Sequence, residues 1–311
     1  MYRNEMIKEA YQDSISITHR HMLSVINTML KYEKSLSNKE IIRILDAGCG
    51  NGIIIYYLNK YLPLFNANKK FLIYGYDLID HGVQEANYAK KTFSYLYDNV
   101  PEINWSERIK LIRSYDDWPF ENESFDFVVS NQVLEHVWDH HQFFREQNRV
   151  LSERGFSHHI FPVKEVIMDG HVFLPKIHKL NSWDAMYHKV KFYTRIGLGA
   201  YRKQKKHYSY DIDYFSKVWA DKIYHYCNYP SYAELSKAAK NNHLCLTTRF
   251  TFQYYWRKLR EILGIKPDLI YKNKSSSKII FFFLKYISGV SIVLYKGEYS
   301  KYNRSAGKDS V

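Results

Sequence analysis

The chain has 311 residues, 46% of them hydrophobic and 25% charged, with a formal net charge of +13 at pH 7. This length and composition suffice for a substantial buried core and exclude a disordered chain. The three cysteines, Cys49, Cys227 and Cys245, are too few and too scattered for a disulfide framework or a zinc site, so we expect free thiols and no metal.

Helix and strand signals alternate along the first half of the chain. Apolar residues between Met22 and Leu30 form one helical face ahead of the first strand. Strands are predicted at residues 41–46, 71–76, 109–113, 125–130 and 155–161, and helices at 52–62, ended by Pro63, at 80–98, capped by Asp80, and at 139–151. This alternation predicts an α/β fold, a doubly wound, mostly parallel sheet that binds its ligand at the carboxyl ends of the strands.

The alternation breaks after Pro162. Residues 163–226 are rich in Tyr, His and Lys and have no clear period, so we interpret them as an inserted, basic substrate lid. Residues 227–311 are expected to complete the core begun by residues 1–162, with a helix near 231–242, a strand at 244–252, two short helices and a last strand near 290–296.

Charge is distributed unevenly between the two halves of the chain. Residues 1–162 hold 18 Lys and Arg against 21 Asp and Glu, whereas residues 163–311 hold 27 against 11. A composition biased toward Lys, Asn, Ile and Tyr would raise the basic count throughout and does not explain the difference. We infer that the first half binds a cofactor and that the second half faces an acidic partner.

Two stretches bear on membranes and targeting. The start MYRNEMIKEAYQDS has charges where a secretory signal has an apolar segment, so we expect a cytoplasmic protein. The run IIFFFLKYISGVSIVLY, residues 279–295, is 17 residues long and is interrupted by Lys285, Ser288 and Gly289. We interpret it as a buried helix followed by a strand rather than a transmembrane segment.

Residues 44–52 read ILDAGCGNG and place three glycines directly after an apolar strand. Gly48, Gly50 and Gly52 can adopt backbone angles closed to other residues and leave room for a ligand, which predicts a tight turn opening a helix. A dinucleotide site has the spacing G-x-G-x-x-G, but residue 53 is Ile, so the nicotinamide interpretation is weakened.

Four segments of the first 162 residues resemble, in the same order, motifs of the class I S-adenosylmethionine-dependent methyltransferases. ILDAGCGNG is similar to the first motif, and Asp77, which closes YGYD, matches the acidic residue that binds the two ribose hydroxyls in that family. WPFENESFDFVVSNQVLEHV (118–137) and FFREQNRVLSERG (143–155) resemble the segments around the fourth strand and the following helix. The resemblance implies a Rossmann-like sheet of seven strands with an antiparallel C-terminal strand, S-adenosylmethionine as cofactor, and methyl transfer as activity.

The resemblance also implies where the cofactor binds. We expect contacts from Asp46, Ala47, Gly48, Gly50, Gly52, Asp77, Leu78, Ser114, Tyr115, Asp116, Asn131 and Gln132. Ser114 departs from the family, which commonly has an Asp there for the adenine amino group, and Asp116 or Asp117 could substitute. A helix cap is the alternative role for Asp77.

Methyl transfer to a hydroxyl needs a general base, because the sulfonium donor is already activated. His136, in LEHV, resembles a histidine that related small-molecule and sugar O-methyltransferases place beside the acceptor, and we predict it as the base. His171 and His178, in DGHVFLPKIHKL (169–180), are further candidates, in a segment that faintly resembles methyltransferases of bacterial surface-glycan synthesis. Packed, capping or solvated histidines are the alternative for all three.

The acceptor is expected to be a small or glycan-type molecule that carries negative charge. The run YRKQKKHY, residues 201–208, supplies Arg202, Lys203, Lys205 and Lys206 for a phosphate or carboxylate, unless it is simply a solvated loop. Nucleic acid is the second choice, since basic charge and tyrosines suit it, but SNQV differs from the turn of the enzymes that methylate nucleic-acid amino groups. A lipid or quinone acceptor, with peripheral membrane contact, and a binding protein without catalysis stay open.

Overall fold

The computed structural model describes residues 9–10, 12–13, 16–80, 87–265, 268–272 and 278–296. Seven strands form one sheet: β1 (Ile41–Ala47), β2 (Lys70–Leu78), β3 (Ile109–Ile112), β4 (Phe125–Asn131), β5 (Leu151–Phe161), β6 (Leu244–Thr247) and β7 (Val290–Lys296). Their order is β3-β2-β1-β4-β5-β7-β6. β7 runs antiparallel to both of its neighbours and the other pairs are parallel, which confirms the predicted fold class.

The described helices surround this sheet. They are α1 (Ile17–Tyr32), α2 (Lys34–Ser37), α3 (Ile53–Phe65), α4 (Tyr88–Asn99), α5 (Trp105–Arg108), α6 (His140–Val150), α7 (Trp183–Arg195), α8 (Tyr201–Gln204), α9 (Ile212–Tyr226), α10 (Tyr232–Asn241), α11 (Thr251–Ile262) and α12 (Lys278–Leu284). Short 3₁₀ turns lie at Leu134–His136, Ile177–Lys179 and Lys205–Tyr208.

Helices cover both faces of the sheet. α1, α3, α4 and α11 contribute to one hydrophobic cluster, and α6, α10 and α12 contribute to another. Ile44 of β1 belongs to the first cluster and Leu45 to the second, because successive side chains of a strand point to opposite faces. The result is a three-layer arrangement with the sheet in the middle.

The chain reverses direction across the sheet between β1 and β4. From β1 it proceeds outward to β2 and β3 and then returns to β4, which pairs with the other edge of β1 through Asp46 and Val129. Loops leaving two such strands diverge and open a crevice at their carboxyl ends. The glycine turn after β1 and the turn after β4 border this crevice.

Several predicted boundaries were wrong. α3 continues to Phe65 with Pro63 inside it, because a proline in the last turn removes only its own N–H bond. The strand predicted at 244–252 ends at Thr247, and α11 begins at Thr251. Residues 279–284 form a helix, but its only buried residue is Phe281, so the prediction of a buried helix was wrong. The predicted helix 80–98 overlaps α4, and its residues 81–86 lie outside the described part.

The segment interpreted as a lid has a small core of its own. α7 and α9 pack together over a cluster that includes Val190, Phe215 and Ile223, joined by Val172 and Leu174 from the segment after β5. Its lack of a simple sequence period follows from the short turns and the many aromatic residues between these helices.

Candidate active site

The glycine turn directs its backbone at the crevice. Gly48, Gly50 and Gly52 all have positive φ, at 77°, 50° and 76°, which explains why this turn needs glycine. A Cβ on Gly48 would meet Val133 and one on Gly52 would meet Leu96, whereas a Cβ on Gly50 would meet nothing within 4 Å. Gly50 is therefore the glycine that faces open space, while the other two allow close packing.

Two carboxylates meet behind this turn. Asp77, at the end of β2, accepts hydrogen bonds from the N–H groups of Gly50 and Leu78, the latter at 2.7 Å. Asp46 is fully buried, and neither of its carboxylate oxygens has a hydrogen-bond partner among the described residues. Burial and then the nearby charge of Asp77 raise the pKa of Asp46 to about 8.

A cavity of about 520 Å³ lies at the carboxyl ends of β1, β2 and β4. Ten of the predicted residues line it: Gly48, Gly50, Asp77, Leu78, Ser114, Tyr115, Asp116, Asn131, Gln132 and His136. Asp46, Ala47, Gly52, His171 and His178 are absent from its lining. Sequence reasoning missed Tyr76, Asp80, Ile112, Trp118, Val133, Val137, Trp138, Asp139, Gln142, Phe143, His225 and Tyr226, which also line it.

The missed residues are of two kinds. Trp118 is buried and packs against Tyr76 and Phe143, with ring centroids 4.7 and 5.1 Å away. Its position in WPF was visible in the sequence, but only the packing shows that it forms a wall of the cavity. His225 and Tyr226 come from the end of α9, and no local motif connects them to the crevice.

The region around Ser114 offers acidic groups for an adenine amino group. Asp80 accepts hydrogen bonds from the Ser114 hydroxyl at 2.8 Å and from its N–H. Asp116 lines the cavity and accepts from the N–H of Arg113, whereas Asp117 pairs with Arg145 and does not line it. Of the two substitutes considered for the missing Asp, the geometry favours Asp116 and adds Asp80.

The end of β4 carries an unsatisfied polar atom and a strained backbone. Oδ1 of Asn131 is buried and has no hydrogen-bond partner among the described residues. Gln132 has a positive φ of 57°, rare for a residue with a side chain, and its N–H donates to Ile160 at 2.8 Å. Such strain clusters at ligand sites, where the surrounding structure imposes it.

His136 is positioned by the chain that follows α9. Its Nδ1 lies 2.7 Å from the carbonyl oxygen of Tyr226, and because a carbonyl only accepts, Nδ1 carries the proton and the lone pair of the neutral ring is on Nε2. The N–H of Asn228 donates to the carbonyl of Glu135 at 2.6 Å. These two bonds attach the 3₁₀ turn to the lid segment and orient the imidazole.

His171 lies behind His136, with the two ring centroids 5.5 Å apart. The hydroxyl of Tyr229 donates to Asp169 at 3.0 Å and lies 2.9 Å from Nδ1 of His171. Burial lowers the pKa of His171, whereas the hydrogen bond and the charge of Asp169 raise it. The increase is larger than the decrease, so the net shift is upward. Asp169, which sequence reasoning missed, therefore stabilises a protonated His171.

His178 and Glu135 complete the surroundings of this group. The side chain of His178 is fully buried, with Nδ1 3.6 Å from Asp169, and its ring lies tilted by 34° against that of Tyr229 at a centroid distance of 4.5 Å. We therefore assign it a packing role in place of the catalytic one. Glu135 is buried with both carboxylate oxygens unpartnered among the described residues, and burial raises its pKa to about 8.

His136, His171 and Cys227 bring potential metal-ligand atoms within 4.8 Å of one another. The expectation of no metal took no account of this group, which only the fold assembles. Both histidine Nδ1 atoms already face oxygen partners, and burial raises the pKa of the Cys227 thiol. A protonated thiol is a poor ligand, so we do not assign a metal centre here. All three cysteines are free thiols.

The residues around the crevice fit S-adenosylmethionine. The space over Gly50 is open to a ligand, Asp77 can accept hydrogen bonds from ribose hydroxyls, and Asn131 presents an unpaired oxygen for an ammonium group. Asp116 and Asp80 lie where an adenine amino group could donate.

Comparison with known proteins finds a family match for part of the chain. Residues 45–158 match the family described as the methyltransferase domain. No curated protein matches the chain. The part of the chain outside residues 45–158 therefore has no assignment from these two comparisons.

Three solved structures are similar at low sequence identity. The YcgJ protein of Bacillus subtilis is 13% identical, with 89% of this chain and 99% of that chain covered, at a TM-score of 0.45. Geranyl diphosphate C-methyltransferase of Streptomyces coelicolor A3(2) is 16% identical (82% and 73% covered, TM-score 0.40). Phosphoethanolamine N-methyltransferase 2 of Haemonchus contortus is 14% identical (88% and 52% covered, TM-score 0.43). We draw no conclusion about the acceptor from TM-scores this low.

The sheet order, the crevice at the ends of β1 and β4 and the family match all indicate the same kind of domain. Residues 45–158 match the methyltransferase-domain family, and the crevice beside them fits S-adenosylmethionine as cofactor.

Proposed function

We propose that this methyltransferase domain methylates a hydroxyl group of a small or glycan-type, anionic acceptor, with His136 as general base. The single observation that carries the proposal is the hydrogen bond from Nδ1 of His136 to the carbonyl of Tyr226, in a residue that lines the cavity. It leaves the imidazole with a proton acceptor at Nε2. A base that removes the hydroxyl proton as the methyl group arrives contributes about 10²- to 10⁴-fold to the rate.

S-adenosylmethionine supplies an electrophilic methyl group when bound. The chain's own residues then have three tasks: Gly50 and Asp77 bind and orient the donor, Trp118 and Trp138 exclude water, and His136 accepts the proton. The carbonyl of Tyr226 stabilises the imidazolium that forms, since it accepts from Nδ1.

His171 lies behind His136, with the ring centroids 5.5 Å apart. Its pKa is raised, so it holds a proton more readily than an ordinary histidine. We propose that His136 and not His171 is the base, because only His136 lines the cavity.

The negative charge of the acceptor is proposed to lie at the lid and not in the cavity. Among the residues that line the cavity there are four Asp and no Lys or Arg. Lys222 of α9 supplies positive charge on the lid side, close enough to His171 to oppose part of the rise in its pKa. The ammonium of Lys222 also lies 5.2 Å from the ring centroid of Trp219.

The test is turnover of a methyl donor with a panel of nucleotide sugars, glycans, quinones, lipids and RNA. With the best acceptor, His136→Ala is expected to lower kcat by about 10²- to 10⁴-fold while the Kd of S-adenosylhomocysteine is unchanged. His171→Ala is expected to lower kcat less. Turnover that survives in His136→Ala but collapses in His171→Ala would show that His171 is the base.

A further outcome concerns the atom methylated. If His136→Ala, His171→Ala and also His225→Ala, whose residue lines the cavity too, all keep full turnover, no histidine acts as base. The hydroxyl-acceptor proposal then gives way to an acceptor that needs no proton removal. Turnover on RNA alone would favour the nucleic-acid alternative.

A further inference from the structure

α11 exposes an apolar stripe to solvent. Its inner side buries Tyr254 and Arg257, whereas the outer side carries Phe252, Trp256, Leu259 and Ile262, of which Trp256 is 48% and Ile262 is 82% exposed. These positions follow the i, i+4, i+7 spacing of one helix face. A helix that lies in water normally has polar residues on that face, so the stripe requires another explanation.

α12 adds exposed aromatic residues next to this stripe. Phe281 is buried against the core, while Phe282 and Phe283 are 54% and 66% exposed. The hydroxyl of Tyr255 in α11 donates to the carbonyl of Gly289 at 2.8 Å, and Nζ of Lys258 donates to Ser288 at 2.8 Å. The turn that follows α12 is thereby attached to α11, and we call the exposed apolar side chains of these two helices the apolar surface.

Basic residues accompany the apolar surface. The described part of residues 251–289 has two acidic residues, Glu261 and Asp268, and besides the buried Arg257 the basic residues Lys258, Arg260, Lys272, Lys278 and Lys285. Arg260 pairs with Asp268, and Lys285 pairs with Glu165 at 3.0 Å. Even with these pairs formed, the segment keeps a surplus of positive charge.

This combination fits an anionic lipid surface better than a second copy of the chain. Two copies facing each other through the apolar surface would bring like charges together, and the whole chain already has a net charge of +13. Aliphatic side chains such as Leu259 and Ile262 insert among acyl chains but do not stack on bases, which argues against a nucleic acid. Apolar residues flanked by Lys and Arg are the pattern of helices that lie in a membrane interface.

The apolar surface is connected to the acceptor side of the crevice. The N–H of Ile167 donates to the carbonyl of Tyr286 at 3.0 Å, and Glu165 of the same segment pairs with Lys285. That segment leads directly to Asp169 and His171. A membrane bound to the apolar surface would lie beside the segment that builds the acceptor side.

We propose that α11 and α12 dock the protein on an anionic bilayer, with Trp256, Phe282 and Phe283 in the interface and the surrounding Lys and Arg near the lipid headgroups. No described helix is long and apolar enough to cross a bilayer, so the docking is peripheral. The proposal does not depend on methyl transfer.

The experiment is co-sedimentation of the full chain with phosphatidylcholine vesicles that contain or lack phosphatidylglycerol. Binding is expected only with phosphatidylglycerol and is expected to weaken as salt rises. Trp256→Glu and Phe283→Glu are each expected to weaken it about tenfold or more, because a charge replaces a side chain that inserts. Leu64→Glu is the matched control, since Leu64 is an exposed apolar residue of α3, and it is expected to bind like the unchanged protein.

Circular dichroism and the Kd of S-adenosylhomocysteine verify that each variant is folded. Equal binding of the Leu64 and Trp256 variants, or no binding to phosphatidylglycerol vesicles, overturns the proposal. A dimer in solution that becomes a monomer in the Trp256 and Phe283 variants overturns it too, since the apolar surface would then join two copies. If the unchanged protein binds the vesicles but methylates no acceptor of the panel, the proposed function is contradicted and the docking proposal stands.

Discussion

At the scale of single residues, Gly50 and Asp77 determine donor binding by different means. Gly50 contributes the absence of a side chain where the cavity is open, and Asp77 contributes acceptor oxygens at the end of β2. The N–H of Gly50 also donates to Asp77, so the two residues stabilise one another. The N-cap residue of α4 is Asn87, while a cap by Asp77 over residues 81–86 would lie outside the described part.

Gly50→Arg is expected to abolish binding of S-adenosylhomocysteine, because the new side chain fills the space of the ligand. Asp77→Ala is expected to weaken binding by about 1 to 3 kcal/mol, because it leaves hydroxyl groups unpaired. Isothermal titration calorimetry measures both. Gly264→Arg is the matched control, since Gly264 also has a positive φ and open space but lies after α11, away from the cavity. Wild-type affinity in both site variants would contradict the donor site.

At the scale of elements, the lid segment and the turn after β4 form one unit. Tyr226 and Asn228, at the end of α9, bond to His136 and Glu135, and His225 and Tyr226 line the cavity. A movement of α9 would therefore change both the mouth of the cavity and the orientation of the proposed base. We interpret residues 163–226 as a lid on this basis.

The lid is predicted to close when acceptor binds. Hydrogen exchange of residues 163–226, above all of α9, is expected to slow on addition of S-adenosylhomocysteine together with an acceptor found in the panel, because closure removes water from the backbone. Exchange in β6 and α10 provides the internal reference. Unchanged protection of α9 with both ligands bound would show that the segment is a fixed wall.

At the scale of the whole molecule, buried ionisable groups make stability depend on pH in two opposite ways. Burial raises the pKa of Asp46 and of Glu135 to about 8. Their contribution to stability is complete below the pKa of the unfolded carboxyls and is lost as pH rises toward 8. Burial lowers the pKa of His158 and of His159 to about 3. Their contribution is complete above the unfolded pKa of about 6.5 and is lost as pH falls.

Between the unfolded carboxyl pKa of about 4 and pH 6.5 the two effects oppose each other, and above pH 6.5 the carboxyl effect acts alone. Thermal stability without ligands is therefore expected to decline between pH 6.5 and about 8. Asp46→Asn is expected to flatten the decline between pH 6.5 and about 8, because Asn resembles the protonated acid and does not titrate. Calorimetric Tm values across this range measure the effect, with exposed Asp184→Asn as the control. A decline that is equally steep in Asp46→Asn and in the unchanged protein would show that Asp46 is ionised in the fold.

The sequence alone determined the fold class and most of the donor site. Alternating strands and helices, a glycine turn after β1 and an acidic residue after β2 are local signals, because each depends on residues close together in the chain. Ten of the predicted residues line the cavity for this reason. Such signals did not predict that α3 continues past Pro63 or that the 279–284 helix is mostly exposed. Neither the length of a helix nor its burial follows from a short sequence pattern.

Only the tertiary structure decided which groups meet on the acceptor side. The hydroxyl of Tyr229 contacts Asp169 and His171, which lie 60 and 58 residues earlier in the chain. The carbonyl of Tyr226 contacts His136, which lies 90 residues earlier. No spacing rule connects residues this far apart, because their contact depends on how α9 packs against the end of β4. Tertiary packing also buries His178 and leaves Trp256, Phe282 and Phe283 exposed, although hydrophobicity along the chain would have placed these three inside.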